Sequence, residues 1–229
     1  MVYQGPGIEA LLPPAVTGPA FLRDGTEVWV RGAQPTDRDL VLDLLEREAL
    51  ESPEGSAPLR SPTLLGQREI LEPAAPQDRL CLLVLGDVSG RVRALGVGEY
   101  ARPRPASTVA EIAFLVAGPF RGRGIATLLL ARLARAAQAF GIVRFEARIR
   151  AENPEMLEVF RGSGFPFTEE PAEGEVDVLI PLTPEESATR ASYAHGARTR
   201  LRPGWTYSRG PGLRPEPRPG RLRPGRGRL

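Results

Sequence analysis

Two features of this chain could do chemistry together. The first is the run Arg121-Gly122-Arg123-Gly124-Ile125-Ala126. Residues 110–116 ahead of it are strand-like, and residues 125–140 after it are helix-like. A Gly-rich turn between strand and helix aims several backbone N–H groups at one point, where the positive end of the helix macrodipole also lies. The spacing therefore predicts a seat for a phosphate-bearing ligand, the alternative being a plain strand-to-helix turn. A Cβ at the glycines would hold a phosphate away, and the side chains of Arg121 and Arg123 could add charge-assisted bonds. The second feature is Glu111, an acid among Ala110, Ile112, Ala113 and Phe114 in the strand that feeds the turn. Two readings stay open for it: a solvated acid on an exposed face, or a carboxylate placed to take a proton from a substrate.

Other reactive side chains are few. Cys81 lies between Leu80 and Leu82, which favours a buried, inert thiol over a covalent acyl-enzyme. The one histidine, His195, falls where the hydrophobic pattern has faded. Cys and His are too scarce for a zinc site, so no metal is expected. A lone cysteine also excludes an internal disulfide framework and points to a reducing, cytoplasmic setting.

The elements that must position the turn can be read from periodicity. Residues 27–31 alternate, with Val28 and Val30 on one face. Gln34-Pro35-Thr36-Asp37 reads as a helix start, and Leu40, Val41, Leu44 and Leu45 give that helix an apolar stripe. Pro53, Pro58 and Pro62 mark a loop, with a second short helix expected around residues 64–71. Residues 80–85 and 91–100 flank Gly86-Asp87-Val88-Ser89-Gly90 and read as a β-hairpin. Pro103 and Pro105 break the chain before a strand at 108–116. The helix after the turn puts Ile125, Leu129, Leu133, Ala136 and Phe140 on one face and ends at Gly141. Residues 142–150 alternate as a strand, with Val143, Phe145, Ala147 and Ile149 on one side. Asn153-Pro154 opens a short helix, and residues 176–181 form a last strand.

Composition sets the outer limits. At 229 residues with 41% hydrophobic content, the chain can bury one ordinary core. It has no apolar run near the roughly 18–20 residues of a membrane span, and its start does not read as a secretory signal. The formal net charge of +2 hides two opposed regions: residues 196–229 carry ten arginines against one acid, Glu216, and the rest is acidic. All 30 basic residues are arginine. Residues 1–20 and 186–229 are expected to be disordered around a folded domain at 21–185, because such sequences bury too little apolar surface to offset chain entropy. An Arg-rich tail can bind polyanions, but it holds only two aromatics, Trp205 and Tyr207, and the folded part is acidic, so nucleic acid is a disfavoured partner.

The order strand, helix, helix, hairpin, strand, glycine turn, helix, strand, short helix, strand resembles the GNAT family of acyl-CoA-dependent N-acyltransferases over residues 21–182. Arg121, Gly124 and Ala126 match the family's turn signature, and Asn153 with Gly164-Phe165 matches a second family feature. Leu22-Arg23-Asp24-Gly25-Thr26 and Ala110-Glu111-Ile112-Ala113-Phe114 resemble more narrowly the acyltransferase domain of bacterial protein-lysine acetyltransferases. The resemblance implies an α/β (α+β) fold: a central mixed, mostly antiparallel sheet flanked by helices. It implies acetyl-CoA as co-substrate, with diphosphate on the backbone of Arg121, Gly122, Arg123, Gly124, Ile125 and Ala126. The pantetheine arm would lie along the backbone of Leu115, Val116 and Ala117, with Asn153 near the thioester. It implies transfer of an acetyl group to a primary amine, a protein lysine being one candidate and a small amine another, by direct attack in a ternary complex. It implies Glu111 as general base. Phe160 stands where many members carry a Tyr acid, and Tyr100 is a weak substitute. The missing Tyr also leaves open a non-catalytic acyl-CoA sensor.

Overall fold

The computed structural model describes residues 8–51, 74–150, 154–172, 174–184 and 198–200. The helix expected around 64–71, Asn153 and His195 lie outside them. Among the described residues, nine strands form one sheet in the order β1-β2-β3-β4-β5-β6-β8-β7-β9. These are β1 (Gly18–Phe21), β2 (Glu27–Gly32), β3 (Arg79–Val88), β4 (Arg91–Ala101), β5 (Val109–Val116), β6 (Arg144–Arg150), β7 (Phe167–Ala172), β8 (Glu175–Pro181) and β9 (Arg198–Arg200). All neighbours pair antiparallel except β5 with β6. The α-helices among the described residues are α1 (Arg38–Glu51), α2 (Ile125–Ala139) and α3 (Pro154–Ser163).

The expected helices form for the expected reasons. A 3-10 turn at Pro35–Asp37 leads into α1. There the Asp37 carboxylate accepts the Gln34 amide at 2.7 Å and both Arg31 guanidinium nitrogens at 2.6 Å. Burial pushes the Asp37 carboxyl up, but Arg31 and the Gln34 amide together hold it below its ordinary value. In α2 the apolar stripe is buried through Ile125, Leu129, Leu133 and Ala136. Leu129 and Leu133 meet β4 at Gly98, where a Cβ would come within 3.2 Å of both and 2.9 Å of Phe114. The glycine is thus fixed by the close approach of helix to sheet. Phe160 of α3 packs on the same face, between Phe114 and Phe167 at 6.5 and 6.4 Å. Gly96 and Gly98 turn toward α2, so α1, which also packs on β4, takes the opposite face.

Several boundaries differ from the sequence reading. The hairpin is tighter: β3 and β4 run to Val88 and from Arg91, joined by Ser89 and Gly90 alone, both at positive φ. Residues 8–20, expected to be disordered, contain a 3-10 turn at Ile8–Leu11 and most of β1. What orders them is tertiary: Val16 is fully buried, and Arg132 of α2 donates to the carbonyls of Ala15, Thr17 and Pro19. Arg198–Arg200, within the stretch expected to be disordered, pairs with Phe167–Glu169 as β9. Backbone pairing on an open sheet edge needs no side-chain pattern of its own. No helix among the described residues is long and apolar enough to cross a membrane.

One buried group stands apart. Glu99 on β4 lies between Cys81 on β3 and Ala113 on β5, fully buried, with no hydrogen-bond partner for either carboxyl oxygen among the described residues. Burial pushes its pKa up to about 8, against the pull of Arg79, and the same desolvation with the Glu99 charge pushes the Cys81 thiol up. A carboxyl that holds its proton more tightly in the folded state favours folding at low pH. That contribution falls as pH climbs from the carboxyl's ordinary value of 4.5 through about 8. Denaturant unfolding of wild type should therefore show stability dropping between pH 5.5 and 8 by about 3 kcal/mol. Glu99→Gln should flatten that slope, and an unchanged slope would assign it to another group.

Candidate functional site

β5 and β6 run parallel but pair over only three residues, Val109, Ala110 and Glu111 against Arg144, Phe145 and Glu146. β6 then continues along β8, while β5 stays with β4. From Ile112 onward, β5 has no strand on its β6 side among the described residues, so the two strands part into a wedge. Ala117 donates its amide to Leu95 of β4 at 3.0 Å. Alternation along the strand then points the amide and carbonyl of Val116 and Phe114 into the wedge, and those of Leu115 toward β4. Of the three residues named for the cofactor arm, Val116 has its backbone on the open side.

The wedge leads to the glycine turn. Arg121 donates its amide to Gly118 at 3.1 Å, and Leu128 opens the helical ladder by donating to Gly124 at 2.9 Å. Between them, the amides of residues 122–127 have no backbone acceptor among the described residues. Gly122 and Gly124 sit at φ +74° and +96°, conformations that L side chains rarely adopt. Such alternation turns successive N–H groups to one side as an anion-binding nest. Gly124 is also the N-cap of α2 and has no side chain to satisfy the first-turn amides.

The arginine side chains are distributed around this nest in a way their spacing does not reveal. Arg121 directs its guanidinium to Glu48 of α1, with Nε 3.3 Å from the carbonyl of Val116. The second Glu48 oxygen accepts the Gly118 amide at 2.6 Å. Arg123 pairs with Asp24 at 3.0 Å and stacks over Phe120. The β1–β2 turn lies against the nest through the Arg23 amide, which donates to the Arg123 carbonyl at 3.1 Å. The Arg23 side chain crosses Gly124, its Cγ, Nε and Cδ 3.3–3.6 Å from where a Cβ would stand.

Glu48 and Arg23 were missed in the sequence. Glu48 had a signal: it falls seven residues after Val41 on the buried stripe of α1, and an acid there needs a partner. Arg23 had none of comparable strength, because only the folded sheet brings it to a turn 100 residues away.

Glu111 sits at the apex of the wedge, opposite Ala101 on one side and Glu146 on the other. It lies on the α1 face of the sheet, since Phe114, three residues on, faces α3. Glu111 is half-buried and attracts Arg148 of β6, whose guanidinium is also held by Asp177 at 2.8 Å and Glu175 at 3.3 Å. The neighbouring Glu146 pairs with Arg144 at 2.9 Å. Tyr100 is fully buried, donates its hydroxyl to the Pro76 carbonyl, and has its pKa pushed up by burial. It is a core aromatic with no free proton to offer. Asn153, whose expected contact is with the cofactor arm, precedes the first described residue of α3, Pro154.

The acetyltransferase (GNAT) family model matches residues 43–165, more than half of the chain. The chain belongs to the GNAT acetyltransferase family. Among solved structures it is similar to the GNAT domain of Streptomyces lividans PAT, at 25% identity and a TM-score of 0.59, covering 74% of this chain and 98% of that one. Mycobacterium smegmatis RimJ in complex with CoA-disulfide shares the fold at 22% identity and a TM-score of 0.51, over 79% and 95% of the two chains. A cAMP-binding acyltransferase from Mycobacterium smegmatis shares it at 20% identity and a TM-score of 0.52; the match takes in 79% of this chain and half of that one. The wedge residues of β5 and the glycine turn both lie within the residues matched by the family model.

The Glu48 contacts can be tested by stability alone. The Glu48 side chain is 2% exposed and the Arg121 side chain 44%. Arg121→Ala strands a buried carboxylate and should cost about 3 kcal/mol, the low end for a broken buried pair because Arg121 is half in water. Glu48→Ala should cost about 1–3 kcal/mol for two lost charge-assisted hydrogen bonds. In urea unfolding, the double variant should be less destabilised than the sum of the two. Additive costs would mean the pair is not coupled.

Proposed function

We propose that this chain transfers an acetyl group from acetyl-CoA to a primary amine by direct attack in a ternary complex. The observation that carries the reading is the run of amides at residues 122–127 that have no backbone acceptor among the described residues, at the mouth of α2 and the end of a strand that has parted from its neighbour. Gly122, Arg123, Gly124, Ile125 and Ala126 donate backbone N–H groups to the diphosphate, and Arg121 braces the turn against α1. The pantetheine arm runs up the wedge along the backbone of residues 115–117, with Val116 supplying the open-side amide. Asn153 contacts the arm near the thioester.

Acetyl-CoA supplies the activated acyl group. An amine with a lysine-like pKa of about 10.4 is almost wholly protonated at neutral pH, so the reaction needs a base. Glu111, at the apex of the wedge, accepts the proton, directly or through water, as the amine nitrogen forms its bond to the thioester carbonyl carbon. Collapse of the adduct breaks the C–S bond. Phe160 has no proton to give and Tyr100 is tied to Pro76, so the sulfur leaves as thiolate or takes a proton from water.

The resemblance of residues 22–26 and 110–114 to bacterial protein-lysine acetyltransferases supports a protein lysine as acceptor, and similarity to the Streptomyces lividans PAT domain is in keeping with it. The charged rows around Glu111 support a cationic one: Glu146, Glu175 and Asp177 line the neighbouring strands, partly offset by Arg144 and Arg148. The absence of a Tyr acid at Phe160 favours one second reading, an acyl-CoA-binding module without turnover.

Steady-state assays with acetyl-CoA against lysine peptides and a small-amine panel separate these readings. Wild type should turn over at least one acceptor. Glu111→Gln should lower kcat/KM by about 100-fold or more and leave the CoA dissociation constant within about twofold of wild type. Full activity in the variant rejects Glu111 as base, and CoA binding with no transfer to any amine favours the sensor.

A further inference from the structure

Three guanidinium groups surround the nest, and their partners divide them. Arg121 is committed to Glu48 and to the Val116 carbonyl. Arg123 is committed to Asp24 and to the face of Phe120. Arg23 is exposed, and among the described residues no hydrogen bond or ion pair engages its guanidinium. Yet its position is fixed. The backbone of Arg23 is tied to the Arg123 carbonyl, and the turn around it is closed by Leu22 donating to Thr26 at 2.9 Å and Thr26 donating to Asp24 at 3.0 Å. Its side chain lies across Gly124 and reaches toward Gly162 at the end of α3, where Nη2 would stand 3.8 Å from an added Cβ.

The electrostatics of that position are unfavourable in the chain by itself. The N-terminus of α2 carries a partial positive charge, and the amides of residues 122–127 add their own unpaired hydrogens. An arginine laid over this end is repelled by it, and no carboxylate among the described residues compensates Arg23. An anion between guanidinium and amides reverses the sign of every one of these interactions. Phosphate suits the arrangement, since a guanidinium presents a fork of donors from one side while the nest presents amides from the other.

We propose that Arg23 is a phosphate ligand of acyl-CoA, closing over the diphosphate from the β1–β2 turn, and that the side chains of Arg121 and Arg123 position the nest without touching the phosphate. The assignment rests on the acyl-CoA reading above and names the cation that reading lacked. It also accounts for the glycine at 124 in a second way, because any side chain there would displace Arg23 as well as the phosphate.

Calorimetric titration of the full chain with CoA, dephospho-CoA and pantetheine tests it. Arg23→Ala should weaken CoA about tenfold or more, with Arg23→Lys between the variant and wild type. The same loss should appear with dephospho-CoA, which keeps the diphosphate, and pantetheine binding should not change. With acetyl-CoA and an accepted amine, KM for acetyl-CoA should rise while kcat stays within about twofold. Unfolding by heat should match wild type, because the Arg23 side chain holds nothing else together. A loss seen with CoA but absent with dephospho-CoA would move Arg23 to the 3′-phosphate and overturn the diphosphate assignment. An Arg23→Ala protein that binds CoA like wild type would overturn the proposal while leaving the acyl-CoA reading intact. Wild type that fails to bind CoA would remove both.

Discussion

Everything that could bind or react in this protein depends on one failure of pairing. Parallel strands β5 and β6 share three residues and then separate, because β6 follows β8 while β5 stays in register with β4. A continuous sheet would have covered both edges with hydrogen bonds. The separation instead leaves backbone donors and acceptors of β5 facing a gap, and unpaired backbone groups away from water demand a partner. An extended ligand with amide groups of its own meets that demand as a third strand would. The gap also fixes polarity. One end is the apex, where Glu111 and Glu146 stand side by side; the other is the positive mouth of α2. A ligand with an anionic head and a reactive tail has only one way to lie in it.

The charged groups around the gap act as struts more than as contacts. Glu48 joins α1 to the glycine turn through two oxygens, one on a backbone amide and one on Arg121. At the other end of the same helix, Asp37 joins it to β2 through Arg31. α1 is thereby fixed at both ends to the sheet it covers, and its C-terminal anchor is the glycine turn itself. Any displacement of the turn is felt by α1, and through α1 by the face of the sheet that carries Glu111. Glu99 differs in kind. Among the described residues its carboxyl oxygens have no hydrogen-bond partner, and burial pushes its pKa up to about 8, so the core favours its neutral form.

Much of this was legible in the sequence, and the parts that were not share a cause. Helices α1 and α2, the β3–β4 hairpin, β5 and β6 follow from apolar periodicity and from Gly and Pro punctuation, signals that sit within each element. Strands β1, β7 and β9 were missed because their pairing carries them. β7 reads Phe-Thr-Glu-Glu-Pro-Ala and has little apolar alternation, and β1 is ordered by contacts from α2 over 100 residues away. The nest was legible because its glycines are adjacent in the chain. The destinations of the arginine side chains were not: Arg121 lies beside the nest in sequence but reaches away from it, and Arg23 lies far off in sequence but crosses it. Proximity along the chain located the backbone site correctly and misjudged the side chains, since a guanidinium on a flexible stem goes where its carboxylate is.

The absence of lysine has a consequence at this site. Every cation near the nest is arginine. A guanidinium stays protonated at any working pH and so offers no nucleophilic nitrogen to a thioester, while an ammonium in the same place would lose its proton part of the time. Lysines in those places would be open to slow acylation by other acyl-CoA molecules from solution, and acylation would erase the charge that binds the diphosphate. Arginines at 23, 121 and 123 supply the same charge without that liability. In the function proposed above, the acidic apex meets the incoming amine and the glycine turn seats the phosphate, ringed by cations that an acyl thioester does not modify. The two ends of the gap are distinguished by nucleophilicity as well as by charge.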